Sequence, residues 1–256
     1  MKSLIALCVA AVSLAVGVGV AVAASAVVVT PAHPQGWSTA DTRPGGMVNF
    51  VSDASAPGGA ALQLTTDATN AAKAQYMHET STPLADVTEL SYQTKQNAGP
   101  AVAAPSYQLA VELDGTSGFT TLVYEPYWNG TVTSATWQSW DVDSGQFWSS
   151  ATVTCSGGGV TSGAGGPPLY TLGEIATMCP DAVVIGFGVN VGTYNPNYDV
   201  ETDLVDFDGT SYDFEQDVTA SSVDQCKGDG WDSVARANGT AFANQGDCLQ
   251  YVNTGK

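Results

Sequence analysis

Two glutamates on neighbouring predicted strands have the type and spacing that could do acid–base chemistry. Glu112 lies in the stretch SYQLAVELDG and Glu125 in the stretch FTTLVYEPYW. In a hairpin both side chains could project from one sheet face, and two carboxyl groups roughly 5 Å apart suit a retaining glycosidase. Because solvated strand glutamates are common, catalysis by Glu112 and Glu125 is the minority hypothesis, and a non-enzyme is expected.

Aromatic side chains crowd the segment from Tyr124 to Trp148. Sugars present flat C–H faces that stack on tyrosine and tryptophan rings, so this segment could bind carbohydrate. The predicted ligand-binding residues are Tyr124, Tyr127, Trp128 and Trp137. The simpler alternative is that every ring of the segment belongs to the core or its rim, because large aromatics dominate sandwich cores.

Strand geometry separates the tryptophans of this segment. Trp137 and Trp140 are three residues apart, so on a regular strand they point to opposite faces. Trp140 shares its phase with Val142, which places Trp140 in the core and Trp137 outside. Trp128 lies next to the turn-prone pair Asn129-Gly130 and is expected to be accessible.

Short alternating segments predict that strands position these residues. In SYQLAVELDG the residues Tyr107, Leu109, Val111 and Leu113 share one face. Asp114-Gly115 then predicts a turn, Asp208-Gly209 predicts a type I′ hairpin, and turn signals recur about every 10 to 15 residues. The pattern is typical of an all-β antiparallel sandwich. One helix is expected in LYTLGEIATMCPDA, with Thr171 as its N-cap and Pro180 as its stop.

The beginning of the sequence predicts export. Residues 1–26 combine Lys2, a long apolar run and small residues that fit a cleavage site, which is the pattern of a secretory signal peptide. An uncleaved membrane anchor is the alternative, because the run is long enough to span a bilayer. With cleavage, the protein is secreted or extracellular and does not engage a membrane.

Four cysteines follow the predicted cleavage site, and an even number in a secreted chain indicates disulfides rather than metal. Of the three possible connectivities we favour the nearest-neighbour pairing, Cys155–Cys179 and Cys226–Cys248. Each disulfide would stabilise the folded chain by about 3 kcal/mol in the chain-entropy model. The second pair would close a small C-terminal tail, residues 224–256, that follows a sandwich at residues 27–215 and a linker at residues 216–223. The tail has two cysteines and no histidine, so zinc is excluded.

The charge of the chain excludes one class of partner. Seven Lys and Arg stand against 25 Asp and Glu, giving a formal net charge of −18. Such a chain repels phosphate backbones and anionic membranes, so no nucleic-acid partner is expected.

Two stretches resemble bacterial secreted jelly-roll or concanavalin A-like sandwich proteins of mostly unknown function. LYTLGEIATMCPDAVVIGFGVNVGT with ETDLVDFDGTSYDFE is similar to the closing half of such a sandwich. The tail resembles a recurrent Cys-Lys-x-Gly-Gly-Trp…Asn-Gln-Gly-Asp-Cys segment, with Asp229 where a glycine is usual. The resemblance implies a jelly-roll fold. Carboxylates crowd the last hairpin, and calcium accepts such oxygens in loose geometry, so the resemblance implies a possible structural calcium with Asp203 as its leading ligand.

The sequence therefore predicts a secreted, non-catalytic β-sandwich module that binds carbohydrate or a cell-surface polymer. A structural or adhesive extracellular scaffold is the first alternative, and a glycoside hydrolase or lyase is the second. No cofactor is expected apart from the calcium.

Overall fold

The structure is a computed structural model that describes residues 26–113 and 118–256. The predicted signal peptide, apart from its last residue, lies outside the described residues, and so does the predicted turn at Asp114-Gly115. The described ends of that turn are joined by a hydrogen bond of 2.7 Å from the Leu113 amide to the Gly118 carbonyl oxygen.

The described chain is built mainly from short strands. They are β1 (Val27–Val29), β2 (Trp37–Ser38), β3 (Gly46–Ser52), β4 (Ala60–Thr66), β5 (Ala74–Pro83), β6 (Leu90–Ala98), β7 (Ser106–Glu112), β8 (Phe119–Tyr124), β9 (Gln138–Asp141), β10 (Phe147–Ser149), β11 (Val153–Cys155), β12 (Gly158–Val160), β13 (Val183–Val191), β14 (Asp199–Phe207) and β15 (Thr210–Phe214). The α-helices are α1 (Pro126–Asn129), α2 (Leu172–Met178) and α3 (Gln245–Thr254), and single 3₁₀ turns lie at Leu84–Asp86, Val223–Cys226 and Gly230–Ser233.

Two sheets form the sandwich. The six-stranded sheet has the order β10-β8-β7-β13-β5-β2 and is antiparallel throughout. The seven-stranded sheet has the order β1-β15-β14-β4-β3, with β6 also paired to β14 and β9 paired to β6; within it, β1 runs parallel to β15. The predicted all-β jelly-roll sandwich is confirmed.

Alternation along β7 shows why the chain folds this way. Tyr107, Leu109 and Val111 are fully buried between the sheets, whereas Gln108 and Glu112 face outward. Burying such side chains contributes about 1.5 to 3 kcal/mol each. The predicted division of this strand into two faces is confirmed.

The central strand β13 needs its glycines. A bulge lies between Val184 and Gly186, where the register with both neighbouring strands shifts. At Gly188, φ is +157°, and a Cβ would lie 2.2 Å from the Tyr76 carbonyl oxygen. The backbones approach too closely for a side chain there, in agreement with the strand glycines of the sequence.

Two local predictions are also confirmed. Asp208 and Gly209 form the two-residue turn between β14 and β15, with φ values of +52° and +78° that fit a type I′ turn. Thr171 caps α2 by accepting a hydrogen bond from the Glu174 amide, and the Glu174 side chain returns one to the Thr171 amide.

Both predicted disulfides are present. Cys155 pairs with Cys179 and Cys226 pairs with Cys248. The first joins the β11–β12 hairpin to the end of α2. The second lies in the hydrophobic cluster of the tail, where the buried neighbours are Val234 and Phe242. Too small to bury a large core, the tail is held by this covalent link.

The linker and the tail both contact the sandwich through polar groups. The Ala32 amide donates to Asp217 Oδ1 at 3.0 Å, and His33 Nε2 lies 3.0 Å from the Val234 carbonyl oxygen. Within the tail, Arg236 donates to both carboxylate oxygens of Asp247 at 2.6 Å. Part of the predicted linker at 216–223 also pairs with the tail, because the Ala220 amide donates to Ala235. The domain boundaries themselves stay a prediction.

Among the described residues, no helix has both the length and the apolar character needed to cross a bilayer.

Candidate binding cleft

A cleft of about 600 Å³ lies at one end of the outer face of the six-stranded sheet. Its floor is formed by side chains of adjacent strands: Ser106, Gln108, Val123, Glu125, Trp148 and Asn190. Its walls come from helix α1 and from two loops, around residues 164–165 and 192–198. The volume falls in the range of ligand sites, about 300 to 1,000 Å³.

The floor faces outward because its residues alternate with core residues. On β7, Ser106 and Gln108 flank the buried Tyr107. In register, Ser106 lies opposite Asn190 of β13, and the Ser106 hydroxyl donates to the Asn190 carbonyl oxygen at 3.1 Å. The Asn190 amide group donates in turn to Gln75 Oε1 at 3.0 Å. These bonds fix a polar row across three strands, on rigid sheet rather than on mobile loops.

Glu125 stands where β8 passes into α1. Pro126 at the first position of the helix ends the strand, which suits its fixed φ. Asn129 donates to the carbonyl oxygens of Glu125 and Gln146 at 3.1 and 3.0 Å, which ties α1 to β10. The Glu125 carboxylate is thereby held at the cleft floor.

The Glu125 carboxyl lacks a hydrogen-bond partner where it is most buried. Its Oε2 atom is inaccessible and unpaired, and so is the indole Nε1 of Trp148. Burial raises the pKa of Glu125, and the nearby polar groups of Trp148, Tyr127 and Trp128 offset this only in part. Strand register places the two side chains on neighbouring strands of the same face, and neither Glu125 Oε2 nor Trp148 Nε1 forms a hydrogen bond.

Aromatic side chains form the walls. In α1, the rings of Tyr127 and Trp128 lie 4.8 Å apart, and both donate to the Gly165 carbonyl oxygen, at 3.3 and 3.4 Å. Across the cleft, Tyr194 is 78% exposed with φ at +66°, an uncommon conformation for a residue other than glycine. Tyr198 is buried behind it. The cleft thus offers rings above a polar floor.

The predicted ligand-binding residues do not all reach this cleft. Tyr127 lines it, and Trp128, which is 39% exposed, stands on its rim beside Tyr127 and Gly165. Tyr124 is only 2% exposed and packs edge-on against Tyr92 and Phe147 in the core. The ligand-binding prediction for Tyr124 is wrong, because its side chain takes the inward phase of β8.

Trp137 belongs to the other sheet. It precedes β9, its Nε1 donates to Asp53 Oδ2 at 3.0 Å, and Lys95 lies 5.9 Å from its ring centroid. The structure therefore does not bring Trp137 to Tyr127 and Trp128. Trp140 is 8% exposed and donates to the Thr94 hydroxyl, so its predicted core position is confirmed.

The predicted carboxylate pair is wrong. Glu112 lies opposite Phe119 at the turn end of the β7–β8 hairpin, whereas Glu125 follows Tyr124, which lies opposite Tyr107. The two positions are about six residues apart along the strands, or roughly 20 Å, too far for a retaining pair at about 5 Å. Among the described residues that line the cleft, Glu125 is the one carboxylate.

Several cleft residues are not in the predicted ligand-binding set, although Trp148 belongs to the aromatic segment that suggested it. Trp148 follows the buried Phe147 and therefore points outward, a signal that alternation contains. Asn190 and Gln108 carry the same signal. Tyr194 and Tyr198 come from the loop between β13 and β14, and no local pattern places that loop beside α1.

Asp203, the predicted calcium ligand, is fully buried at a bulge of β14. Its Oδ1 accepts from the Phe214 amide at 2.9 Å, and its Oδ2 has no partner. Asp213 Oδ1 and Glu215 Oε1 are also buried and unpaired. The pKa of Asp203 is raised to about 8, because burial and the charges of Asp213 and Glu215 together outweigh two backbone hydrogen bonds that lower it.

These oxygens fit calcium in chemistry but are not yet arranged as a site. Within the described residues, no three His, Cys, Asp or Glu side chains are placed to hold a metal ion. Three neighbouring carboxylates with unpaired buried oxygens are nevertheless the hard donors that calcium prefers. We give more weight to the unpaired oxygens, because carboxylates rotate readily and buried charge demands a partner.

Comparisons with solved structures give distant likenesses. A family 11 carbohydrate-binding module from Clostridium thermocellum, in complex with a β-1,3-1,4-mixed-linked tetrasaccharide, is 12% identical with a TM-score of 0.41, covering 68% of this chain and 89% of that one. The family 11 module of the cellulosomal cellulase Lic26A-Cel5E of the same organism is 11% identical with a TM-score of 0.40, covering 70% and 89%. The CBM22-1–GH10 modules of its endo-1,4-β-D-xylanase 10B, complexed with xylohexaose, are 13% identical with a TM-score of 0.29, covering 66% and 25%.

No protein-family profile matches the sequence. No curated protein sequence matches it either. Because the three TM-scores lie below 0.5, the ligand has to be inferred from the residues of the cleft.

Proposed function

We propose that this chain is a non-catalytic carbohydrate-binding module whose binding site is the cleft between α1 and the loop at 192–198. The observation that carries the proposal is the combination of exposed rings with unpaired polar atoms on a rigid floor. Sugars are recognised by this combination, because their C–H faces stack on rings while their hydroxyls need donors and acceptors.

The electrostatics of the cleft agree with a sugar ligand. The described lining contains no Lys, Arg or His, so it offers no cation to a phosphate or carboxylate ligand. Amide and hydroxyl groups of Gln108, Asn190 and Ser106 are suited to neutral hydroxyls instead. A neutral polyhydroxylated ligand satisfies these groups without bringing a new charge into the cleft.

Binding to a panel of soluble and insoluble polysaccharides, with and without Tyr127→Ala, tests the proposal. Saturable binding of the unaltered chain that falls about tenfold in the variant is the expected result, since a stacked ring contributes on the order of 1 to 2 kcal/mol. If the chain binds no polysaccharide of the panel but self-assembles or is retained by cell walls, the scaffold alternative is supported. Release of reducing ends that depends on Glu125 would support a hydrolase.

We further propose that Asp203, Asp213 and Glu215 hold a structural calcium. With its two positive charges, the ion would offset most of the negative charge of three carboxylates whose buried oxygens lack partners. It would link β14 to β15 and act on stability, far from the sugar. Equilibrium dialysis with ⁴⁵Ca²⁺ tests this, and one ion bound to the unaltered chain but not to Asp203→Asn is expected.

Export is proposed as well. The signal-like residues 1–26 and two disulfides support an oxidising, extracellular location. The partner proposed there is a carbohydrate or cell-surface polymer.

A further inference from the structure

The cleft floor contains one acceptor and one donor that the protein leaves unpaired side by side. Glu125 Oε2 and Trp148 Nε1 are both inaccessible and without a hydrogen-bond partner. An unpaired buried polar group costs about 1 to 3 kcal/mol, and more when it is charged. Because both side chains line the cleft, a rotation of either one would turn its polar atom toward a ligand, and two such costs at one place indicate a ligand-binding position.

Strand register places the two groups together. Trp148 lies opposite Val123 in the β10–β8 pair, and Glu125 is two residues further along β8 on the same outward face. Such diagonal neighbours lie about 7 to 8 Å apart at their Cα atoms, within reach of long side chains. Both side chains line the cleft, which places their polar ends on the same floor.

A hydroxyl group is the chemistry that satisfies both atoms at once. Its O–H donates to a carboxylate oxygen, while its lone pair accepts from an indole N–H. Building on the proposed carbohydrate function, we propose that Glu125 and Trp148 together bind one hydroxyl of a neutral glycan, and that this pair selects neutral glycans over charged ones.

The two charged classes of glycan fail for different reasons. A uronate or sulfate brings a negative group next to the Glu125 carboxylate, in a cleft whose described lining has no cation. An amino sugar brings an ammonium that would pair with Glu125, but an ammonium has no acceptor for the Trp148 N–H. The indole nitrogen therefore decides between a hydroxyl and an ammonium, and it favours the hydroxyl.

Affinity electrophoresis in native gels tests the pair. The gels contain a neutral β-glucan, xylan or galactomannan, or chitosan, polygalacturonate or dextran sulfate, each at low and at 0.5 M salt. High salt screens both the repulsion of polyanions and the attraction of chitosan that the net charge of −18 causes, so that any selectivity left comes from the cleft itself. At 0.5 M salt the unaltered chain is expected to be retarded by at least one neutral polymer and by none of the charged ones.

Three variants complete the test. Glu125→Gln is expected to weaken retardation about tenfold to a hundredfold, since a charge-assisted hydrogen bond is lost. Trp148→Phe keeps a ring and loses the N–H, and about fivefold weakening is expected. Glu112→Gln, on the same sheet face but at its far end, is the matched control and should bind like the unaltered chain.

The outcomes distinguish a failure of the Glu125–Trp148 proposal from a failure of the proposed carbohydrate-binding function. If the unaltered chain binds a neutral polymer but both cleft variants, folded by circular dichroism, bind equally well, the hydroxyl-binding pair is wrong and the carbohydrate function stands. Tighter binding to chitosan or to the polyanions would also overturn the selectivity. If no polymer retards the unaltered chain, the proposed function itself fails, and this inference fails with it.

Discussion

The outer faces of the two sheets both carry an aromatic ring beside carboxylates, yet they differ in how their polar atoms are satisfied. On the seven-stranded sheet, Lys95 lies 2.5 Å from Asp53 and 3.4 Å from Glu201, and Trp137 donates to Asp53. On the six-stranded sheet, Glu125 and Trp148 have unpaired buried atoms and no cation nearby.

The pKa values show the same contrast. Burial acts to raise the pKa of Asp53, but hydrogen bonds from Lys95, Ser55 and Trp137 outweigh it and hold that pKa well below its ordinary value. Burial raises the pKa of Glu125, and its neighbours do not outweigh it. A satisfied network stabilises the fold, whereas an unsatisfied group on a rigid face lowers stability. We therefore propose opposite roles for similar residues on the two faces, structural on one and ligand-binding on the other.

Removing the cation of the satisfied face is expected to have the largest effect of the substitutions at pH 7. Lys95→Met leaves Asp53 and Glu201 unpaired while they are mostly buried, which should lower the free energy of unfolding by about 3 kcal/mol. Urea denaturation measures the loss. Glycan affinity of the folded variant should not change, and an unchanged stability would show that the network is not structural.

Asp203 extends the comparison, since it is an unsatisfied group on the seven-stranded sheet. With its pKa raised from 3.8 to about 8, the folded chain keeps a proton that the unfolded chain has lost. In a chelator, stability should therefore fall as pH rises from about 4 to 8, by at most roughly 1.4 kcal/mol per pH unit.

Melting temperatures measured in EDTA across this window check the slope. The substitution Asp203→Asn should reduce the dependence of the melting temperature on pH. Calcium should raise the melting temperature most near pH 8. A slope that persists in the variant would assign the effect to other groups, and a slope insensitive to calcium would count against the metal.

The exposed Trp128 and the half-buried Trp137 sharpen the contrast between binding and stability. Trp128→Ala should lower glycan affinity about tenfold because it removes a ring from the cleft rim. Trp137→Ala should leave affinity unchanged and cost about 1 kcal/mol of stability, through its lost hydrogen bond to Asp53. Calorimetry and urea denaturation on both variants check this, and a reversed pattern would place the site on the other sheet.

The smallest expected effect has the opposite sign. Glu125→Gln removes an unpaired buried charge from the ligand-free chain, so it should raise the free energy of unfolding at pH 7 by about 0.5 to 1 kcal/mol. The gain should disappear below pH 4, where the unaltered Glu125 is protonated. Destabilisation by this change would mean that the carboxylate has a structural partner.

The fold could be predicted where local patterns are unambiguous. Alternation divides β7 cleanly, and Asp208-Gly209 determines its turn because both residues tolerate positive φ. Strand β8 is different, since Leu122-Val123-Tyr124 is apolar at every position. Its sequence therefore does not indicate which side chains face the core and which face outward. It does not show that Tyr124 faces the core, and Trp148, which directly follows the buried Phe147, is not among the predicted ligand-binding residues.

The site was harder to predict than the fold because it depends on distant contacts. The antiparallel order of β7 and β8 already separates Glu112, near the turn, from Glu125, at the far end. A retaining pair would need both carboxylates at the same end of this hairpin. The position of Tyr194 opposite α1 depends on the whole sandwich, including the path from β13 to β14, and only the folded structure shows it.

The central claim is that the unsatisfied face binds the ligand, and the indole N–H signals of the tryptophans test it most directly. Two-dimensional ¹H–¹⁵N spectra would be recorded while oligosaccharides of neutral β-glucan, xylan and mannan are added, with signals assigned by Trp148→Phe and Trp137→Phe. The Trp148 indole signal should shift downfield as it gains an acceptor, and the Trp137 signal should stay in place. A shift at Trp137 with none at Trp148 would contradict the account.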